Sequence, residues 1–240
     1  MKNTGFRAGA FILSTALVAF GSTTVQADFL GLYAGVDGIY SQTSINDNSP
    51  TDDKFNAVYN VAFEHPVPFL PNLKLRYSEF GGTRDNFQSG IYMVDQDLDV
   101  NTLDAIAYYE ILDNIVSVDA GLGVKRLDVS NTLKNTVPAV NITFTADDKQ
   151  TLPALYVAAG GKLPFTGFSA KAEVMAGKNS DADFNDINAE VKYNVIENIA
   201  LDVGVKFGYR AMTVNFDDDA NSGFDKIEAK GPYLGLEAHF

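Results

Sequence analysis

The residues with the greatest chemical potential in this sequence are charged side chains that recur at every second position of otherwise apolar segments. They are Asp37, Glu64, Lys74, Arg76, Asp104, Glu110, Asp119, Lys125, Lys162, Lys171, Glu173, Glu190, Lys192, Asp202, Lys206, Arg210 and Glu237. Because acids and bases occur in similar number, we expect them to pair in a salt-bridged, hydrogen-bonded network. Such a network fills the space that a pore needs, so it favours structural packing over conduction.

Clusters of acidic residues are a second candidate for chemistry. Asp95-Gln96-Asp97-Leu98-Asp99 imitates the beginning of an EF-hand loop, but position six is Val100 rather than Gly and position twelve is Ile106 rather than Glu. Groups such as Asp147-Asp148 and Asp217-Asp218-Asp219 offer oxygen ligands for divalent cations, although solvated loop charge is the simpler interpretation. We therefore predict no metal site and no cofactor.

The overall charge and the first residues set the broad class. The formal net charge of −13 disfavours nucleic acid as a partner, and the sequence contains no cysteine for a disulfide. Lys2 and Arg7 precede an apolar run from Ala8 to Phe20, and small residues surround Ala27. This arrangement predicts a signal peptide over residues 1–27 and one exported domain over residues 28–240.

The remaining sequence alternates with a period of two, which places successive side chains on opposite faces of a strand. Leu201, Val203, Val205, Phe207 and Tyr209 share one face, and charged or small residues occupy the other. Ten strands are predicted near residues 29–41, 54–64, 72–80, 98–111, 115–127, 151–163, 168–177, 184–195, 199–216 and 226–240; eight remain an alternative.

The connections between these strands alternate between short and long. The longer, acidic ones are predicted near residues 42–53, 81–97, 128–150, 178–183 and 217–225, and the stretch 137–144 is open to interpretation as a hairpin extension. Short and long connections at opposite ends are typical of an antiparallel barrel in a membrane.

A soluble β-sandwich also alternates, so the distribution of positive charge has to discriminate. A base that faces the bilayer midplane costs roughly 2–4 kcal/mol. All eight bases of the predicted network lie on the polar faces of their strands, and the apolar faces carry no charge over about five consecutive positions. The pattern thus favours a closed, up-and-down transmembrane β-barrel.

The last strand carries a family resemblance. Tyr233, Leu234, Leu236, Ala238 and a final Phe240 resemble the C-terminal signal that small Gram-negative outer-membrane barrels present to the barrel assembly machinery. The resemblance covers the whole chain and implies the cell outer membrane as location, membrane lipid and lipopolysaccharide as partners, and a monomer.

The resemblance leaves the function open, because such barrels include adhesins, narrow channels, lipid-modifying enzymes and proteases. Barrel enzymes of this class place their catalytic groups at the outer rim or in the outer leaflet. The two histidines, His65 and His239, both lie at the predicted short-turn end. We therefore predict no catalytic residue and a structural or surface-interaction role, with a narrow porin-like diffusion channel as the alternative and an outer-membrane enzyme as the third.

Overall fold

The strands close into a single barrel. The computed structural model describes residues 30–46, 51–67, 69–89, 92–136, 142–198, 201–217 and 224–240. The strands are β1 (Gly31–Ile45), β2 (Lys54–Glu64), β3 (Asn72–Ser89), β4 (Tyr92–Asp113), β5 (Val116–Asn135), β6 (Thr143–Lys162), β7 (Phe168–Lys178), β8 (Ala182–Glu197), β9 (Asp202–Phe216) and β10 (Lys226–His239). The predicted signal peptide, residues 1–27, lies outside the described residues.

Every strand pairs antiparallel with its neighbours in sequence, and β1 pairs with β10 to complete the ring. In the closing pair Tyr33 lies opposite His239 and Ile45 lies opposite Ile227. The predicted fold class and the count of ten strands are confirmed. Because the ring is closed, every strand has a hydrogen-bonded neighbour on both sides.

The outer wall of the barrel is apolar at the height of the short strands. Large side chains point outward and stay exposed, for example Leu122 at 66%, Phe207 at 63% and Leu236 at 51%. We call this surface the apolar belt; it includes Leu32, Val36, Tyr59, Val61, Leu73, Leu75, Leu103, Tyr109, Leu122, Val124, Leu155, Val157, Phe168, Val174, Ile187, Val191, Phe207, Tyr209, Leu234 and Leu236.

The four strands β3 to β6 continue well beyond this belt, which corrects the predicted loop boundaries. Residues 81–97 and 128–150 were expected to be connections, but most of them belong to strands that pair up to Ser89 with Tyr92 and Lys134 with Thr143. The second connection is therefore mostly paired strand, and of the stretch 137–144, for which a hairpin was considered, residues 137–141 lie outside the described residues. We call this four-stranded projection the extension.

The polarity of the two strand faces reverses where the extension begins. On β4 the outward positions change from Leu103 to Asn101, Asp99 and Asp97, while the inward position Leu98 is fully buried. The same reversal occurs on β5, where inward Lys125 is followed by inward Leu127 and outward Val124 is followed by outward Arg126. Alternate side chains thus keep pointing inward and outward along the whole strand, but the apolar residues change from the outward to the inward positions.

Gly81 shows how closely the strands approach at this level. Its φ of 147° lies in a region that favours glycine, and a Cβ there would collide with the carbonyl of Leu98 on the neighbouring strand. The close approach of β4 therefore explains the glycine at position 81, and a Cβ at Gly82 would collide with Thr51 and Asp52.

Candidate functional site: the barrel lumen

Five buried charges cross the middle of the lumen. They are Arg76 on β3, Asp104 on β4, Lys125 on β5, Asp186 on β8 and Arg210 on β9, and we call them the central ion cluster. Each has at most 4% of its side chain exposed. Because these strands lie on both sides of the ring, their ion pairs span the lumen.

Asp186 is the hub of this cluster. Its two carboxylate oxygens accept hydrogen bonds from Nε of Arg210 at 2.9 Å and from its Nη2 at 2.7 Å. Arg76 Nη2 lies at 3.2 Å and Lys125 Nζ at 3.0 Å from the same carboxylate. Asp104 provides the second anion: its Oδ1 lies 2.6 Å from Lys125 Nζ, and its Oδ2 lies 2.8 Å from Arg76 Nη2. All three bases are thereby paired, as buried charges require.

A second tier of ion pairs lies between the cluster and the short-turn end. Lys74 donates to Glu173 at 2.6 Å, and the Tyr156 hydroxyl donates to the same carboxylate at 3.0 Å. The other pairs are Lys206 with Asp37 at 2.9 Å, Lys192 with Glu237 at 2.8 Å and Lys171 with Asp119 at 3.3 Å. These ion pairs therefore form two tiers, which Arg76 and Glu173 connect at 3.9 Å.

Of the remaining predicted members, Glu190 lies 3.8 Å from Lys206 of the second tier, and the others lie nearer the short-turn end. Glu64 accepts a hydrogen bond from Tyr108 and Glu190 accepts one from Tyr233, each at 2.6 Å. Glu110 accepts from Asn72, Lys162 is exposed, and Asp202 lies 3.7 Å from His239. Tyr233, predicted as part of the assembly signal, thus points into the lumen, whereas Leu234 and Leu236 face outward.

These side chains surround a cavity of about 180 Å³ that opens at the short-turn end. Its wall includes Asp113, Ser117 and Lys162, which lie at the short-turn ends of β4, β5 and β6. Arg76 and Arg210 of the central ion cluster form its inner end. A space of this size holds a few water molecules beside polar groups.

Above the central ion cluster the lumen is filled by apolar side chains. We call these residues the apolar layer; each is at most 2% exposed, and they are Phe80, Leu98, Val100, Leu127, Val129, Leu152, Met212, Val214 and Ile227. The layer packs directly on the charges, because the Phe80 ring lies 5.0 Å from the Arg210 guanidinium. Phe216, at the long-loop end of β9, also points inward and is buried.

The sequence interpretation missed Asp186, Tyr108 and Tyr156. Asp186 precedes the apolar row that begins at Ile187, and it has the same parity as Glu190 and Lys192. Extending that parity by two residue pairs would have found it. The tyrosines escaped because only charged residues were considered for the inward faces.

The two histidines lie at the short-turn end, as predicted. His239 stacks on Tyr33 with ring centroids 4.1 Å apart, and His65 lies beside the β2–β3 turn, where its Nε2 is 3.2 Å from the Pro71 carbonyl. Within the described residues, no group of three or more His, Cys, Asp or Glu side chains is arranged to hold a metal ion. Asp218 and Asp219 lie outside those residues. No helix in the described ranges is long and apolar enough to cross a membrane.

Comparison with known proteins gives structural likeness without sequence likeness. No protein-family model and no curated protein matches the chain. Neisserial surface protein A is 14% identical, with a TM-score of 0.36 over 86% of this chain and 95% of that one. The outer membrane protease OmpT of Escherichia coli is 10% identical, with a TM-score of 0.46 over 91% and 98%. The attachment invasion locus protein Ail of Yersinia pestis is 12% identical, with a TM-score of 0.37 over 88% and 97%.

Proposed function

We propose that this chain is an integral outer-membrane protein: a sealed, non-enzymatic barrel that carries a β-sheet extension outside the membrane and serves envelope structure or surface interaction. The observation that carries this proposal is the reversal of polarity between belt and extension. A wall that is apolar outside and charged inside suits hydrocarbon, and a wall that is polar outside and apolar inside suits water.

The height of the apolar belt fits a bilayer. On β4 the outward apolar row runs from Leu103 to Ile111, and on β5 it runs from Val116 to Val124. Each row spans nine residues, and a tilted transmembrane strand needs about 9–11. In a soluble sandwich these rows would lie between two sheets, whereas here the sheet is closed and the rows face outward.

The contents of the lumen argue against the narrow channel. A continuous path would have to cross the central ion cluster and then the apolar layer, whose side chains are buried from every direction. A ten-stranded barrel leaves little space beyond its side chains. The cavity at the short-turn end therefore supports a blind pocket, and no single-channel conductance is expected from the protein in a planar bilayer.

The location of the histidines supports a role without catalysis. Both lie at the end opposite to the extension, while the outward face of β4 in the extension presents Asp95, Asp97 and Asp99. A hydrolase needs a base beside a nucleophile at the place where substrate binds. The extension offers an acidic, hydroxyl-rich surface, which suits recognition better than bond cleavage.

The membrane assignment is tested with single tryptophans, since the chain has none. Leu122→Trp places the probe in the apolar belt, and Thr132→Trp places it ten residues further along the outward face of β5. In vesicles whose lipids carry bromine on the acyl chains, we expect strong quenching of the first and little of the second. Equal, weak quenching of both would refute the membrane assignment.

A further inference from the structure

The bases that do not face the lumen are distributed asymmetrically. Residues 30–240 contain sixteen Lys and Arg residues, all of them among the described residues, and eight of these point into the barrel. The other eight are Lys54, Arg84, Arg126, Lys134, Lys149, Lys178, Lys226 and Lys230. All eight lie at or beyond the long-loop edge of the apolar belt, and none lies on the outer wall at the short-turn end.

Three of these bases stand directly at the edge of the belt. Arg126 comes two residues after the last apolar residue of the β5 row, and Lys178 comes two residues after that of the β7 row. Lys230 comes two residues before Pro232, the first apolar residue of the β10 row, because β10 runs in the opposite direction. All three side chains are exposed. We call them the cationic collar, because they mark the same boundary on three parts of the ring.

The collar residues are not engaged by neighbouring acids. Arg126 lies opposite Leu103 and Thr151, and Lys230 lies opposite Ala211 and Gln42. No ion pair within the described residues includes any of the three.

The acids that lie nearest to the collar along the strands already have partners. Asp128 is paired with Lys149 at 2.7 Å, and Glu228 is paired with Lys226 at 2.8 Å. Asp183 faces Lys178 across the strand pair, but it accepts a hydrogen bond from Asn215 at 2.9 Å. Arg126 and Lys230 therefore present the clearest free positive charges at this boundary.

We propose that the cationic collar binds the phosphate groups of anionic lipid headgroups in the outer leaflet. The proposal rests on the membrane placement given above. A chain with a net charge of −13 repels an anionic surface as a whole, so contact with phosphates requires local cations where the headgroups lie. The extension above the collar presents Asp95, Asp97 and Asp99, and the belt below is uncharged. The collar is thus the level at which the outer wall complements phosphate.

The test compares two double variants of equal charge. Arg126→Gln with Lys230→Gln removes the two clearest collar charges, and Arg84→Gln with Lys134→Gln removes two charges from the extension without releasing Asp128 from Lys149. Each protein is refolded into phosphatidylcholine vesicles and into vesicles in which phosphatidylglycerol replaces part of that lipid, and its unfolding equilibrium is measured in urea. One cation at an anionic surface contributes roughly a fivefold effect. Phosphatidylglycerol should therefore raise the folding equilibrium constant of the collar variant about 25-fold less than that of the wild type. The control variant should respond to phosphatidylglycerol as the wild type does.

The outcomes separate this proposal from the proposed function. If the wild type folds in both vesicles and the two variants respond equally to phosphatidylglycerol, the collar is overturned while the membrane barrel stands. If inorganic phosphate stabilises the wild type in phosphatidylcholine vesicles as much as phosphatidylglycerol does, the collar is a site for free anions and the lipid proposal is wrong. If the wild type fails to fold into either vesicle, the proposed function itself fails.

Discussion

Replacement of Asp186 by Asn tests how far the central ion cluster determines stability. Asn keeps the size of the side chain but removes the anion that Arg210 contacts through two hydrogen bonds and that Arg76 and Lys125 reach at 3.2 and 3.0 Å. Asp104 would remain as the cluster's one acid against three buried bases. Removing one partner of a buried pair costs about 3–5 kcal/mol, because the remaining charge stays desolvated. We expect the free energy of unfolding to fall by an amount in this range.

The assay is reversible urea unfolding in lipid vesicles, followed by the loss of β-sheet circular dichroism. Asp183→Asn is the matched control, because Asp183 is on the same strand but is exposed and faces outward, so its change should stay within about 0.5 kcal/mol. A loss below about 1 kcal/mol for Asp186→Asn would mean that water or a rearranged Asp104 compensates the bases, and the reasoning on the sealed lumen would be refuted.

Two further substitutions test packing and the lipid boundary. Gly177→Ala places a Cβ against the carbonyl of Pro153, so we expect the free energy of unfolding to fall by about 1–3 kcal/mol in the same assay. Gly161→Ala should cost far less, because the atom nearest to its added Cβ lies 3.6 Å away. Equal effects would contradict the close approach of β6 and β7. Leu122→Arg puts a charge in the apolar belt and should cost about 2–4 kcal/mol, while Thr132→Arg in the extension should be nearly neutral; a tolerated Leu122→Arg would show that this surface does not face hydrocarbon.

The barrel was predictable because its strongest signal is local. Rows such as Leu201 to Tyr209 alternate with charged or small residues, and this parity alone decides which side chains face outward. The exclusion of Lys and Arg from those rows then distinguishes a membrane wall from a soluble sheet. Both signals are read within single strands, so the strand number and the inward direction of the charges were predicted correctly.

The extension was missed because a loop was assigned wherever the outward face became acidic. In residues 92–97, Asp95 and Asp97 suggested a solvated connection, although Val94 and Leu98 alternate with them at the period of a strand. The pattern is as regular as in the belt, with the polarity of the two faces exchanged. A search for period two without a fixed polarity would have extended β3 to β6.

The partners within the lumen follow from the ring and not from any one strand. Arg76 and Asp186 are 110 residues apart, and they meet because β3 and β8 lie on different sides of a closed barrel. Parity places both side chains inside the barrel. It does not give their height along the barrel axis or the direction in which each side chain extends across the lumen. The hub role of Asp186 therefore required the three-dimensional register of all ten strands.

The reversal of polarity links the interior of this barrel to its surroundings. A two-faced strand has to give one side to the solvent around it, so within hydrocarbon the polar residues must turn inward and satisfy one another. That requirement places the central ion cluster at the level of the belt. Above the belt, water accepts the polar face, and apolar side chains such as Leu98 and Leu127 become free to fill the lumen. In the proposed membrane placement, the same change of solvent that positions Arg126 outside therefore also fills the barrel inside.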